Sequence, residues 1–122
     1  MPRPLQVLIA DDSANDAELI VHELRRAGFD PEWRRVDTEA AYAANLRSDL
    51  DVILADYAMP QFSGMRALEV LRERRLEIPF ILISGTIGED IAAAAMKQGA
   101  TDYLLKDCLV SLGSAIHQAL EQ

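Results

Sequence analysis

The chain has 122 residues, half of them hydrophobic and 26% charged, the mixture of one globular domain spanning residues 1–122 and not of a disordered or collagen-like chain. Twelve Lys and Arg against twenty Asp and Glu leave a net charge of −8, so direct nucleic-acid binding and attachment to an anionic membrane surface, which need the opposite surplus, are disfavoured. No uncharged run approaches the roughly 18 residues of a membrane span, the opening residues 1–4 predict no leader, and the single cysteine, Cys108, has no internal disulfide partner, so a cytoplasmic, reducing setting is expected.

Residues 5–10 form the first apolar run, with Val7, Leu8 and Ile9 consecutive, as in a strand buried on both faces. Ser13 is placed to cap a helix over 14–27, where Ala17, Ile20 and Leu24 recur at helical spacing and Gly28 closes the C-terminus. Residues 31–36 read as a more polar strand at a sheet edge, carrying the only Trp. A second helix is expected over 38–47. A buried strand over 51–55 ends at Asp56, and a loop containing Pro60 leads to a helix over 64–75 with Leu68 and Leu71 inside. Residues 78–83 are the most apolar strand and end at Ser84. A loop over 85–88 and a helix over 89–98, ended by Gly99, precede a fifth strand over 102–105 and Lys106. The last helix is expected over 109–120. Five strands alternating with five helices predict an α/β fold with a parallel sheet.

In such a sheet the site lies beyond the carboxyl ends of the strands. Those ends carry Asp11 and Asp12, Asp56, Ser84 and Lys106. Three carboxylates at one rim repel one another, and positive charge must offset them. Lys106 offsets one, and a hard divalent cation with oxygen ligands, Mg²⁺, suits the rest. That arrangement fits a phosphoryl group, with Ser84 as hydrogen-bond donor and Asp56 placed to attack. His22 and His117 read as helix-surface residues without metal-ligand company.

Asp11-Asp12, Asp56-Tyr57-Ala58-Met59-Pro60 with Gly64, Ser84-Gly85, and Tyr103 with Lys106 follow in order, each group belonging to its own strand. Taken together they make the whole chain resemble a receiver domain, the phosphoacceptor module of two-component response regulators. The resemblance implies a flavodoxin-like (βα)5 fold with strand order 2-1-3-4-5. It implies that Asp56 takes a phosphoryl group from a histidine kinase or a histidine phosphotransfer domain. Asp12, Asp56 and the backbone carbonyl of Ala58 would bind Mg²⁺, with Asp11 acting through water. Ser84 would shift toward the phosphoryl group, Tyr103 would change rotamer with it, and Lys106 would pair with the phosphoryl oxygens. The family catalyses its own dephosphorylation at a rate set by the positions occupied here by Ala58 and Thr86. Output would pass to an unknown downstream protein by contact, and a homodimer is among the assemblies the resemblance admits.

One departure is plain: Asp107 stands where the family usually has Pro after the lysine. A cis bond without proline costs about 2.5–4 kcal/mol, so a trans bond and a rearranged loop are expected, with Asp107 as a candidate cap for the last helix. Two other functions compete. A receiver-like interaction module that works without phosphorylation is motivated by Asp107 alone. A flavin protein or turnover enzyme on the same fold would want a Ser/Thr/Gly-rich phosphate loop after the first strand, where Asp11-Asp12-Ser13 stands instead.

Overall fold

The computed structural model describes residues 2–86 and 88–121; residue 87 of the expected loop 85–88 lies outside them, as do residues 1 and 122. In chain order the elements are β1 (Arg3–Ala10), α1 (Ala14–Arg26), β2 (Phe29–Val36), α2 (Glu39–Ala44), β3 (Val52–Asp56), α3 (Gly64–Glu73), β4 (Phe80–Ser84), α4 (Glu89–Lys97) and β5 (Asp102–Leu105). A 3₁₀ segment (Lys106–Ser111) then leads into α5 (Leu112–Leu120). The strands form one parallel sheet in the order β2-β1-β3-β4-β5, the predicted topology, with β2 at an edge.

Alternation along each strand divides the core into two layers. Leu5, Val7, Ile9, Val52, Leu54, Ile81 and Ile83 face α1 and α5, meeting Ile20, Leu24, Leu112 and Ile116. Leu8, Ala10, Ile53, Ala55, Phe80 and Leu82 face α2, α3 and α4, meeting Tyr42, Leu68, Leu71 and Ala95. Central strands buried on both sides must be apolar throughout, which is why β3 and β4 lack polar residues until Asp56 and Ser84. Fully burying one such Leu or Ile contributes about 1.5–3 kcal/mol. Tyr42 is wholly buried, yet its hydroxyl is satisfied by donating to the Ala67 carbonyl at 2.7 Å, tying α2 to α3.

Three helices differ from the sequence expectation. The second, expected over 38–47, spans only Glu39–Ala44: Thr38 is its cap, its Oγ1 accepting from Ala41 N–H, and Asn45 ends it by donating its side-chain amide to the Ala41 carbonyl at 2.7 Å. The third, expected to residue 75, ends at Glu73, and Arg75 takes a left-handed φ of 58°. The last α-helix begins at Leu112 rather than at 109. Asp107 does not cap it: the residue sits inside the 3₁₀ segment, and α5 starts after Ser111 without a side-chain cap. Cys108, with non-helical φ −119° and ψ 34°, breaks the path between the two helical pieces. The described peptide bonds are trans, that before Asp107 included, as expected. No described helix is long and apolar enough to cross a membrane.

Candidate functional site

Strand register sets the site. Ala10 lies beside Ala55, so Asp11 and Asp56 follow as neighbours. Asp56 pairs with Ile83 and Ser84 with Leu105, which brings Lys106 to the same rim. Period-two alternation then sorts the side chains. Asp56 shares the parity of Leu54, and Lys106 that of Leu104, on the α1/α5 side. Ser84 shares the parity of Leu82 and Tyr103, on the α4 side.

The three expected acids do converge. Carboxylate oxygens of Asp11, Asp12 and Asp56 lie within 4.8 Å of one another, with Asp11 and Asp56 buried and Asp12 exposed. Burial, reinforced by the Asp56 charge, pushes the Asp11 carboxyl up to about 6, although the Ser13 N–H that Asp11 accepts at 2.9 Å opposes the shift. Lys106 Nζ donates to Asp56 Oδ2 at 3.2 Å. Burial on its own would lower the Lys106 pKa, but hydrogen bonds to Asp16 and Asp56 outweigh it and hold the ammonium above its ordinary range. The amine therefore stays charged at any physiological pH.

The donor set fits Mg²⁺. Its ligands are hard oxygens, and two oxygens on one octahedral ion stand about 3–4 Å apart, from Mg–O distances of ~2.1 Å. A separation of up to 4.8 Å lets two carboxylates bind directly and a third act through water. Buried Asp11 already commits one oxygen to Ser13, which suits the indirect position.

Ser84 does not face the acids freely. It is buried, donates its Oγ to the Thr86 carbonyl at 3.1 Å and accepts from the Thr86 N–H at 3.3 Å. Tyr103 donates its hydroxyl to the same carbonyl at 3.0 Å. The expected switch pair is thus joined through one acceptor atom. Ala58, which is exposed, places its N–H 3.4 Å from Asp56 Oδ1.

Two contacts escaped the sequence reading. Asp16, in the first turn of α1, accepts from Lys106 Nζ at 2.9 Å. Its place one turn beyond the acid pair, at the rim where α1 begins, was the available signal. Arg35, on the edge strand, donates to the Asp11 carbonyl at 3.2 Å. Nothing in the sequence distinguished it from its neighbour Arg34.

Comparison with known proteins gives a consistent picture. The family model for the response regulator receiver domain matches residues 7–118. The hydrogenase transcriptional regulatory protein HoxA of Cupriavidus necator is 35% identical over 120 residues, which cover 94% of this chain and 24% of that protein. The transcriptional regulatory protein RprY of Bacteroides fragilis is 32% identical over 107 residues, covering 87% and 44%. The chain spans less than half the length of these curated relatives. Among solved structures, a response regulator receiver domain protein from Clostridium thermocellum superposes with a TM-score of 0.81 at 27% identity, over 96% of this chain and 94% of that one.

Proposed function

Since the chain belongs to the response regulator receiver domain family, the phosphoacceptor family of two-component systems, we propose that its acid rim is the phosphorylation site and Asp56 the acceptor. The observation that carries this is the setting of Asp56: a buried carboxylate, beside two further acids, with an ammonium 3.2 Å away. A carboxylate so placed is held for chemistry, because the same strand ends could have buried apolar side chains at lower cost.

Asp12, Asp56 and the Ala58 carbonyl would hold Mg²⁺, with Asp11 through water; the ion supplies the positive charge that lets an anionic nucleophile meet an anionic phosphoryl group. An Asp56 carboxylate oxygen forms the new O–P bond as the P–N bond to a histidine on a kinase or phosphotransfer domain breaks. Lys106 keeps its ammonium on the phosphoryl oxygens, with three N–H donors to distribute. Ser84 exchanges the Thr86 carbonyl for a phosphoryl oxygen, and that carbonyl is left to Tyr103. Loop and tyrosine then settle in a second arrangement, a population shift driven by the new charge-assisted bonds. Water reaches the acyl phosphate past Ala58 and Thr86, both exposed, so the domain hydrolyses its own modification.

The donor approaches where the rim is open. A shallow apolar depression of about 50 Å³ lies next to Lys106 and is walled by Leu19, Ile20 and Leu109. Leu19 is 56% exposed on α1 and Val110 75% exposed on the 3₁₀ segment. A helix carrying the donor histidine packs on these side chains. The downstream partner is a protein, and the work is done in the cytoplasm.

Intact-mass measurement with acetyl phosphate and Mg²⁺ tests the assignment. One phosphoryl group is expected on the wild type and none on Asp56→Asn. Continued modification of Asp56→Asn, or an unmodified wild type, would overturn it.

A further inference from the structure

Asp16 ends no strand and lies outside the cluster of Asp11, Asp12 and Asp56, yet it makes the shorter of the two bonds to Lys106. Nζ is 2.9 Å from Asp16 Oδ2 and 3.2 Å from Asp56 Oδ2. A lysine ammonium is a point charge on a flexible four-carbon stem, with three donors. Held by Asp56 alone, it could swing through every rotamer that keeps one bond. A second carboxylate on a different element fixes it: β3 supplies one anchor and α1 the other, while two donors are spent and one is left. Charge points the same way. A cation bound by the three-acid cluster consumes the charge of Asp56 and repels the ammonium beside it, whereas the Asp16 charge stays committed to Lys106.

We propose that Asp16 is a positioning residue for phosphoryl transfer, a counter-ion that keeps Lys106 at the acceptor when the cluster is charged and when Asp56 is modified. This rests on the phosphoacceptor reading above. The third donor of Lys106 is then presented to the phosphoryl oxygens without a search, and α1 is coupled to the end of β5 through one ion pair.

The chain contains two lysines, Lys97 and Lys106, and exposed Lys97 is an internal reference. In metal-free protein, competitive acetylation read by mass spectrometry should label Lys106 more slowly than Lys97. Asp16→Asn and Asp16→Ala should each raise Lys106 labelling about threefold, the scale of one partly exposed ion pair, without changing Lys97. Phosphorylation by acetyl phosphate with Mg²⁺ should slow by about the same factor in Asp16→Ala. In a Lys106→Ala background, Asp16→Ala should have no further effect. A merely structural Asp16 would leave Lys106 labelling alone and would act equally with or without the lysine. Unchanged labelling in both Asp16 variants, or a loss that persists in the Lys106→Ala background, would overturn the proposal. A wild type that takes no phosphoryl group would instead remove the phosphoacceptor reading, and the role of Asp16 with it.

Discussion

Asp11 carries a burial cost at the rim. It is 1% exposed, and burial raises its carboxyl to about 6. A carboxyl raised on folding favours the folded state fully below its unfolded value of 3.8 and withdraws that support as pH climbs through 6. At neutral pH its ionised form therefore costs the metal-free fold about 3 kcal/mol. Asn at this position keeps an oxygen for the Ser13 N–H and removes the charge. Thermal unfolding in chelator should show Asp11→Asn more stable than wild type by about 1–2 kcal/mol at pH 7.5, with the gap narrowing as pH falls through 6 toward 3.8. Added Mg²⁺ should reverse the order, because an ion that binds only the folded state stabilises it by mass action and the variant binds it less well. Equal stability across this pH range in chelator would refute this account of Asp11. Asp11, Asp12, Asp56, Ser84 and Lys106 were legible in the sequence because each stands at or just beyond the carboxyl end of a strand. Asp16 was missed although it lies one turn beyond the acid pair, its partner being 90 residues away along the chain, and Arg35 was missed because an edge-strand charge looks the same in sequence whether it meets solvent or a partner.

At the scale of elements, α3 is pressed against the acceptor. A Cβ on Gly64 would stand 2.6 Å from the Asp56 carbonyl oxygen and 2.5 Å from Leu82 Cδ1. One is backbone and the other lies in the packed core, so neither gives way cheaply. Gly64→Ala should cost about 1–3 kcal/mol in chemical denaturation, as overpacked cores do, and should slow modification of Asp56 by moving the strand end. An unchanged denaturation midpoint would show that the helix start yields freely. Existence and type of all ten regular elements could be read from apolar runs and helical spacing. The ends of α2, α3 and α5 could not. Asn45 and Arg75 terminate their helices by a side-chain bond and a left-handed backbone, and both residue types also occur inside helices. The 3₁₀ path after Lys106 replaces the expected helix start because the chain must leave β5 with Lys106 turned inward before α5 can begin on the α1 side.

For the whole molecule, the parallel sheet gathers residues from four strand ends onto one rim, and the open flank of that rim is apolar. Leu19→Glu should slow transfer from a histidine phosphotransfer protein about tenfold, the scale of a buried contact replaced by a like-charged or desolvated group. Transfer from acetyl phosphate, which needs no docking, should stay within about twofold. Equal losses with both donors would move the docking face elsewhere. The parallel α/β class was legible because buried strands alternate with helices, whereas the strand order came from the resemblance to receiver domains, right-handed crossovers alone leaving several arrangements open. The bond partners of Ser84 and Tyr103 were not, because both meet on a backbone carbonyl, an atom every residue carries. The central claim, a phosphoryl group accepted by Asp56, is tested most directly by peptide mapping of the phosphorylated chain after borohydride trapping of the acyl phosphate. The trapped residue should be Asp56 and should vanish when Mg²⁺ is chelated; trapping at Asp11, at Asp12 or at no aspartate would contradict the assignment.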